Sequence, residues 1–246
     1  MKSLGEVKSL YKDALSSGDK LEPSIKNMGE VERFSVEKMD ELKIVYAGMQ
    51  NPRILNVFRE LRTQLVHEHD KKNFVCMVTS ICTGGGASYV AGNLAAAFAL
   101  DKAKTSMLID ANLYSPKLDE LIIGDATNGI TDYLSDPSLS IKDVVYATGI
   151  PRVRVIPIGD SSEGAAEHFS SEKMIDFVKE VRTRYSDRFV FIDSPPVTES
   201  SEARILAELV DVVVLVVPHA SVTQEQIEMA IDTVGEKKLA GLIYNN

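Results

Sequence analysis

The sequence predicts an α/β domain built on a doubly wound, mostly parallel sheet. Six segments are expected to be strands, and most of them are near-continuous apolar runs rather than alternating ones. Such runs are typical of parallel strands that are covered on both faces. Helical segments lie between the strands, and this alternation implies right-handed crossovers. The strands are expected at 74–80, 105–111, 152–159, 188–194, 211–218 and 239–245.

The helices follow from apolar spacing and from residues that favour helix starts. A helix before the first strand is expected to begin at Pro52, because proline suits the first turn. The crossover helices are expected at 88–100, 171–185, 201–209 and 223–236. Residues 1–45 are charged and poor in apolar clusters, which favours a partly flexible arm with one short helix near its start. Residues 46–246 are expected to form the domain.

Composition excludes several function classes. The chain has 246 residues, an apolar content of 44% and a net charge of −9. An acidic protein is a poor nonspecific ligand for nucleic acid, so no nucleic-acid partner is expected. No apolar run reaches the length of about 18 residues that a spanning helix needs. The two cysteines, Cys76 and Cys82, suit a reducing cytosol better than a disulfide framework.

A glycine-rich loop separates the first strand from its helix. Its glycines are Gly84, Gly85 and Gly86. They let the backbone turn tightly and aim its N–H groups at a phosphate, and the positive end of the next helix adds to this attraction. Ser88 stands where such loops carry a hydroxyl that binds magnesium. A tight turn without any ligand is the plain alternative, and a dinucleotide fingerprint is disfavoured because no third spaced glycine follows.

Two carboxylates end later strands. Asp110 follows the apolar residues Met107–Ile109 in the strand at 105–111, with Asn112 two positions on, and Asp193 ends the strand at 188–194. Each carboxylate alone could be a helix cap or a loop residue. Because doubly wound sheets place ligands at the carboxyl ends of strands, the two carboxylates and the glycine loop together predict a magnesium nucleotide site.

Four ordered motifs carry a resemblance to a known family. They are FRELRTQL (Phe58–Leu65), TSICTGGGAS (Thr79–Ser88), LIDANLYSP (Leu108–Pro116) and FIDSPPV (Phe191–Val197). From about Pro52 to Asn246 the sequence resembles the cytosolic domain of bacterial tyrosine autokinases (BY-kinases). It is most similar to the stand-alone type encoded with exopolysaccharide export systems. These are P-loop proteins related to partition and septum-site ATPases, so the resemblance implies a P-loop NTPase fold.

The resemblance also implies roles for individual residues. It implies that ATP or ADP with magnesium lies on the glycine loop, with Ala87 included in the nucleotide contact and Asn245 at the adenine edge. Ser88, Asp110 and Asp193 would hold the metal, and the two carboxylates would be the catalytic residues of an active protein. The family's contact motif retains Arg59 and Arg62, which would join subunits in a ring; a solvated basic face is the alternative for these arginines.

The departures from the family pattern bear on catalysis. The P-loop lysine is replaced by Ala87, the second acid of the Leu-Ile-Asp-Ala-Asp motif by Asn112, and the glutamate of the contact motif by Asn56. An amide brings no negative charge to a metal and cannot act as a general base. Lys102 and Lys104, in the next connection, are weak candidates for a replacement cation.

These observations lead to one hypothesis and two alternatives. The leading hypothesis is a catalytically degenerate, nucleotide-binding regulator in the cytoplasm. It would dock on the cytoplasmic segment of an inner-membrane polysaccharide chain-length protein, as a homo-oligomer or in a mixed ring with an intact paralogue. The first alternative is an active ATP-dependent tyrosine autokinase, which would label Tyr185 or Tyr244. The second is a partition-type localisation ATPase.

Overall fold

A seven-stranded sheet forms the centre of the structure. The computed structural model describes residues 32–70, 72–160 and 165–246. The strands are β1 (Val75–Ser80), β2 (Thr105–Asp110), β3 (Tyr146–Ala147), β4 (Val153–Ile156), β5 (Arg188–Asp193), β6 (Val212–Pro218) and β7 (Leu239–Asn245). Their order is β3-β4-β2-β5-β1-β6-β7, and every neighbouring pair is parallel except β3 with β4. The predicted doubly wound, mostly parallel sheet is confirmed.

Two strand predictions need correction at one edge of the sheet. The predicted strand at 152–159 ends at Ile156, because Pro157 has no N–H for a ladder and its carbonyl accepts the Ile130 N–H at 2.9 Å. The antiparallel strand β3 was not predicted. It has only two residues, which is too short to give a periodic pattern.

The five predicted helices lie close to their predicted positions, and the described residues contain three further short helices, at Val36–Glu41, Ile130–Ser135 and Ala165–Phe169, that were not predicted. In chain order the helices are α1 (Val36–Glu41), α2 (Pro52–Glu68), α3 (Ala87–Ala99), α4 (Ile130–Ser135), α5 (Ala165–Phe169), α6 (Glu172–Thr183), α7 (Ser201–Leu209) and α8 (Gln224–Val234), with short 3-10 turns at Leu118–Leu121 and Ile141–Val144. Pro52 occupies the first turn of α2, as predicted. Side-chain caps from Ser171, Ser200 and Thr223 fix the starts of α6, α7 and α8.

Apolar side chains fill both faces of the sheet. One core contains Cys76 and Val78 of β1 with almost all of α3, and the other contains Val75 and Met77 of the same strand. Helix α3 is rich in alanine and buried on nearly every side, so it packs close to the sheet. This double coverage accounts for the continuous apolar runs in the strands.

The segment before α2 packs against the domain from Phe34 onward. Met39, Ile44 and Val45 belong to the same core as α3. The fully buried Asn93 accepts a hydrogen bond from the Val45 N–H at 2.8 Å and donates one to the Lys43 carbonyl at 3.0 Å. Sequence reasoning placed the end of a flexible arm at residue 45, but residues 34–45 are held to the domain by these contacts. Residues 1–31, including the predicted short helix, lie outside the described residues.

In the described parts of the chain, no helix is both long enough and apolar enough to cross a membrane. The carboxyl ends of β2, β5 and β1 lie side by side at one edge of the sheet. Each of these strands is followed by a segment that the sequence singled out, so this edge positions the candidate site.

Candidate functional site

The loop between β1 and α3 is shaped by its glycines and by short hydrogen bonds. Gly84 and Gly86 have φ angles of 78° and 95°, which glycine adopts without the strain that a side chain causes. The Gly85 N–H donates to the Cys82 carbonyl at 3.1 Å, and the Ser80 hydroxyl donates to the same carbonyl at 2.8 Å. The loop is therefore a defined turn that leads into the amino end of a 13-residue helix. That helix end attracts anions.

Asn245 lies beside this loop. Its Nδ2 donates to the Gly85 carbonyl at 3.2 Å, and a Cβ added to Gly86 would lie 2.1 Å from the same Nδ2. The last strand and the glycine loop therefore meet at Gly86, where an added side chain would displace the Asn245 amide. The role of Asn245 at an adenine edge stays a prediction, because here its amide contacts the loop backbone.

We expect Gly86→Ala to destabilise the protein and weaken ligand binding in the loop. The left-handed conformation costs an L-residue about 1–2 kcal/mol, and the contact with Asn245 adds to this cost. Urea denaturation measures the change in unfolding free energy.

Gly84→Ala is the matched control for this prediction. Gly84 also has a positive φ, but an added Cβ meets nothing within 4 Å. We expect Gly84→Ala to show the conformational cost alone, and Asn245→Ala to relieve part of the Gly86→Ala defect. Equal losses for the two glycine variants would mean that the Asn245 contact contributes nothing.

Asp110 and Asp193 are brought together by the sheet. They are directly opposite each other in the register of the neighbouring parallel strands β2 and β5, and both are fully buried. The Asp110 carboxylate accepts N–H bonds from Asn112, Lys117 and Leu118 at 3.0, 3.0 and 3.2 Å. Neither Asp193 oxygen has a partner with hydrogen-bond geometry among the described residues, although the Ser88 hydroxyl lies near enough to act on this carboxyl.

The two carboxyl groups differ in how strongly burial affects them. Burial raises the pKa of Asp193 to about 8, and the neighbouring Asp110 adds to the rise, while the Ser88 hydroxyl and the Lys117 ammonium lower it in part. Burial also raises the pKa of Asp110 to about 6, although its three amide donors oppose the rise. Buried polar groups without partners are rare in folded proteins, so Asp193 is the group that needs an explanation.

A magnesium ion would account for the unpartnered carboxylate. Two buried carboxylates and the hydroxyl of Ser88 are hard oxygen donors, and magnesium is commonly held by one or two carboxylates, substrate phosphates and several waters. No group of three or more His, Cys, Asp or Glu side chains suited to a metal occurs in the part of the chain that the structure describes. This donor set of two carboxylates and a hydroxyl suits magnesium that is carried in with a nucleotide.

A cavity of about 430 Å³ opens above this pair. The glycine loop forms one wall, and Ala87, Ser88, Asn112 and Ser194 contribute to its lining. Asp110 lies two positions before Asn112 and Asp193 lies directly before Ser194, and neither carboxylate is part of the lining. The structure thus brings the predicted loop, hydroxyl and strand-end residues to one cavity, with the carboxylates beneath it.

The substituted positions have clear local roles. Ala87 is the first residue of α3 and is 7% exposed, so the wall of the cavity where the family carries its lysine is short and apolar. The Asn112 Oδ1 accepts the N–H groups of Tyr114 and Ser115 at 3.3 and 3.2 Å. The amide of Asn112 therefore shapes its loop and has no charge to offer to a metal.

Sequence reasoning missed several of the residues that line the cavity, three of which carry charge or a phenol. Tyr114, Lys117 and Glu199 all border the cavity. The Tyr114 hydroxyl donates to Glu202 at 2.9 Å, and Glu199 accepts from the Thr83 hydroxyl at 2.8 Å. The signal for Lys117 was present, because it directly follows the strand-end motif that contains Asp110.

The two lysines considered as replacement cations lie elsewhere. Lys104 immediately precedes β2, and the site lies at the opposite, carboxyl end of that strand. Its Nζ is 5.8 Å from the centroid of the Phe189 ring. Lys102 lies in the same connection at the amino end of β2. Neither lysine lines the cavity beside the glycine loop.

The predicted subunit-contact arginines have different environments. Arg59 is exposed on α2, whereas the Arg62 guanidinium donates to the Ala97 carbonyl at 3.0 Å and ties α2 to the end of α3. A contact between subunits through these residues stays a prediction.

Proteins of known sequence match most of this chain. The tyrosine-protein kinase YwqD of Bacillus subtilis is 32% identical over 203 residues, which cover 80% of this chain and 84% of YwqD. The chain belongs to the bacterial tyrosine autokinase family. The sequence matches no family model.

Solved structures agree with membership of the autokinase family. The BceF tyrosine kinase domain superposes with a TM-score of 0.70 at 25% identity, covering 93% of this chain and 99% of that domain. A cell division ATPase, MinD, from Pyrococcus furiosus has a TM-score of 0.57 at 19% identity, covering 70% of this chain and 71% of MinD. The fold is thus the P-loop ATPase fold that this chain shares with MinD.

Proposed function

We propose that this autokinase homologue binds a magnesium adenine nucleotide at the glycine loop and is catalytically degenerate. One arrangement with two features carries the proposal. Asp193 is buried without a hydrogen-bond partner among the described residues and lies opposite Asp110, beneath the glycine loop, and alanine occupies position 87. The buried carboxylates support the binding of a nucleotide with its metal. Alanine at position 87 removes the cation that follows the transferred phosphoryl group.

The chemistry that this chain's own residues can perform is limited to binding and orientation. The loop amides and the amino end of α3 attract the phosphates, and Ser88, Asp110 and Asp193 would hold the magnesium, which would neutralise phosphate charge. Removing one partner of a desolvated ion pair costs about 3–5 kcal/mol. This equals about two to four decades in affinity or rate. Micromolar nucleotide affinity could fall to the millimolar range, so binding persists while turnover is lost.

The proposed role is regulation of exopolysaccharide polymerisation and export. The resemblance to autokinases encoded with such systems supports a partner in the cytoplasmic segment of a membrane chain-length protein. The protein would lie in the cytoplasm, beside the inner membrane, through that partner. Self-association, or a mixed ring with an intact paralogue through the exposed Arg59, is part of the same proposal.

Turnover assays test the proposal directly. With the partner's cytoplasmic segment and magnesium ATP present, we expect phosphate release and phosphotyrosine formation at background, and no change in Asp193→Ala. Magnesium ADP should still raise the thermal midpoint of the unsubstituted protein by the binding-linkage relation. Robust turnover that Asp193→Ala abolishes would overturn the degenerate assignment.

An active autokinase is the second candidate, and one observation favours it: a basic residue, Lys117, does line the cavity. This candidate predicts a labelled tyrosine. Tyr244 is 65% exposed on β7, while Tyr185 is partly buried, with the Arg188 guanidinium 4.2 Å from its ring centroid. Labelling is therefore expected at Tyr244 first, and mass spectrometry after incubation with ATP distinguishes the candidates.

A further inference from the structure

Lys117 stands at the edge of the nucleotide cavity with its backbone fixed. Its N–H donates to Asp110 Oδ2 at 3.0 Å, and the next residue, Leu118, donates to the same oxygen at 3.2 Å. The Lys117 Cα is therefore anchored to the buried carboxylate pair, and its side chain extends from a defined point.

The Lys117 ammonium is exposed and forms no salt bridge with the described carboxylates. Within the described ranges it is the one basic side chain among the residues that line this cavity. The other charged lining residue, Glu199, is held by two bonds to Thr83 on the far side of the glycine loop. The cavity thus has the backbone amides of the glycine loop on one wall and, on another, the Lys117 ammonium without a salt bridge to any described carboxylate.

The surrounding charges make an anion the fitting ligand for this lysine. Lys117 borders the same cavity as the three glycines of the loop. Phosphate oxygens of a nucleotide on the glycine loop would enter the space between the loop and Lys117. Lysine binds phosphate as a compact point charge on a flexible stem, and such a stem can reach a phosphate without a fixed fork geometry.

We propose that Lys117 binds the phosphates of the nucleotide and supplies, from the loop after β2, the cation that Ala87 no longer supplies from α3. This inference rests on the proposed nucleotide site and identifies the residue that keeps a nucleotide bound there. Lys117 approaches from the side of the metal carboxylates rather than from the helix end. It therefore contributes to binding. Position 87, from which a lysine would stabilise the transferred phosphoryl group, still has no cation.

Calorimetric titration with magnesium ADP and magnesium ATPγS tests the proposal. We expect Lys117→Ala to weaken both affinities about ten-fold, the effect of losing one charged hydrogen bond. The salt dependence of binding should decrease as well, because one ion contact is lost. Lys117→Arg should retain most of the affinity.

Lys104→Ala is the matched control, since it removes the same charge at the opposite edge of the sheet. It should leave both affinities unchanged. Because Lys117 is exposed, Lys117→Ala should also keep the thermal midpoint of the unliganded protein, which separates binding from folding.

The outcomes separate this inference from the function on which it rests. If the unsubstituted protein binds nucleotide and Lys117→Ala binds equally well, the assignment of Lys117 is overturned while the nucleotide site stands. If the unsubstituted protein binds neither nucleotide at millimolar concentration, both are overturned. An equal loss in Lys104→Ala would show a general charge effect and would also overturn the assignment.

Discussion

Replacing Asp193 with asparagine is expected to raise the stability of the unliganded protein by several kcal/mol at alkaline pH. The folded state holds the pKa of this carboxyl at about 8, far above its usual 3.8, because the group is buried without a partner beside Asp110. A raised carboxyl pKa means that the folded state binds the proton more tightly than the unfolded state. The stabilisation that the protonated Asp193 carboxyl gives to the folded state is fully present below about pH 4 and is lost as the pH rises toward 8.

The size of this effect follows from the pKa difference. Each unit corresponds to 1.36 kcal/mol, so ionising Asp193 costs the folded state on the order of 5 kcal/mol. Asparagine has the same shape and no charge to bury. The unfolding free energy of the original protein should therefore fall between about pH 5 and pH 8.5 by several kcal/mol more than that of Asp193→Asn. Urea denaturation at a series of pH values measures the difference.

Magnesium nucleotide should stabilise the original protein more than it stabilises Asp193→Asn. A bound metal favours the ionised carboxylate, so it should restore stability to the original protein at alkaline pH and leave Asp193→Asn little changed. Asp125→Asn, which alters an exposed carboxylate, is the control and should leave the pH profile unchanged. Parallel pH profiles for Asp193→Asn and the original protein would show that Asp193 is not the buried acid described here.

Ala87→Lys is expected to produce the largest gain in nucleotide affinity, about a hundred-fold. Residue 87 opens α3, and helical side chains lean toward the amino end, so a lysine there extends over the glycine loop into the cavity. The gain lies at the lower end of the two to four decades expected for a desolvated pair, because Lys117 already supplies one cation. Calorimetric titration with magnesium ATPγS measures it.

The same substitution separates binding from catalysis. We expect Ala87→Lys alone to form little phosphotyrosine, because Asn112 carries no negative charge and its carbonyl is engaged by two loop amides. An aspartate could keep those two bonds with one oxygen and offer the other to the metal. The double variant Ala87→Lys with Asn112→Asp should therefore regain autophosphorylation.

Ala87→Met is the matched control, since it adds a chain of similar length without charge. It should not improve affinity. A similar gain with methionine would show that packing, rather than charge, limits binding. Full activity in Ala87→Lys alone would show that Asn112 is not a defect.

Much of the fold could be predicted because its signals are local. Continuous apolar runs predicted the parallel strands, and Pro52 predicted the start of α2. The cap residues likewise marked the starts of α6, α7 and α8 within a few residues. The ligand-binding edge was also predictable, because strand-end carboxylates and a glycine loop must meet in a doubly wound sheet. Features that are short or depend on distant contacts were not predicted. Strand β3 has only two residues, and the docking of residues 34–45 depends on Asn93, which lies about 50 positions away in the sequence.

The amino-acid sequence by itself determined the sheet, the glycine loop and the absence of lysine and aspartate at positions 87 and 112, since residue identity and periodicity are written along the chain. Only the tertiary structure decided that Asp110 and Asp193 are opposite each other, that Asp193 is buried without a partner, and that Lys117 rather than Lys102 or Lys104 borders the cavity. The reason is physical: burial and charge pairing depend on which strand ends become neighbours, and the order of strands in the sheet differs from their order in the chain.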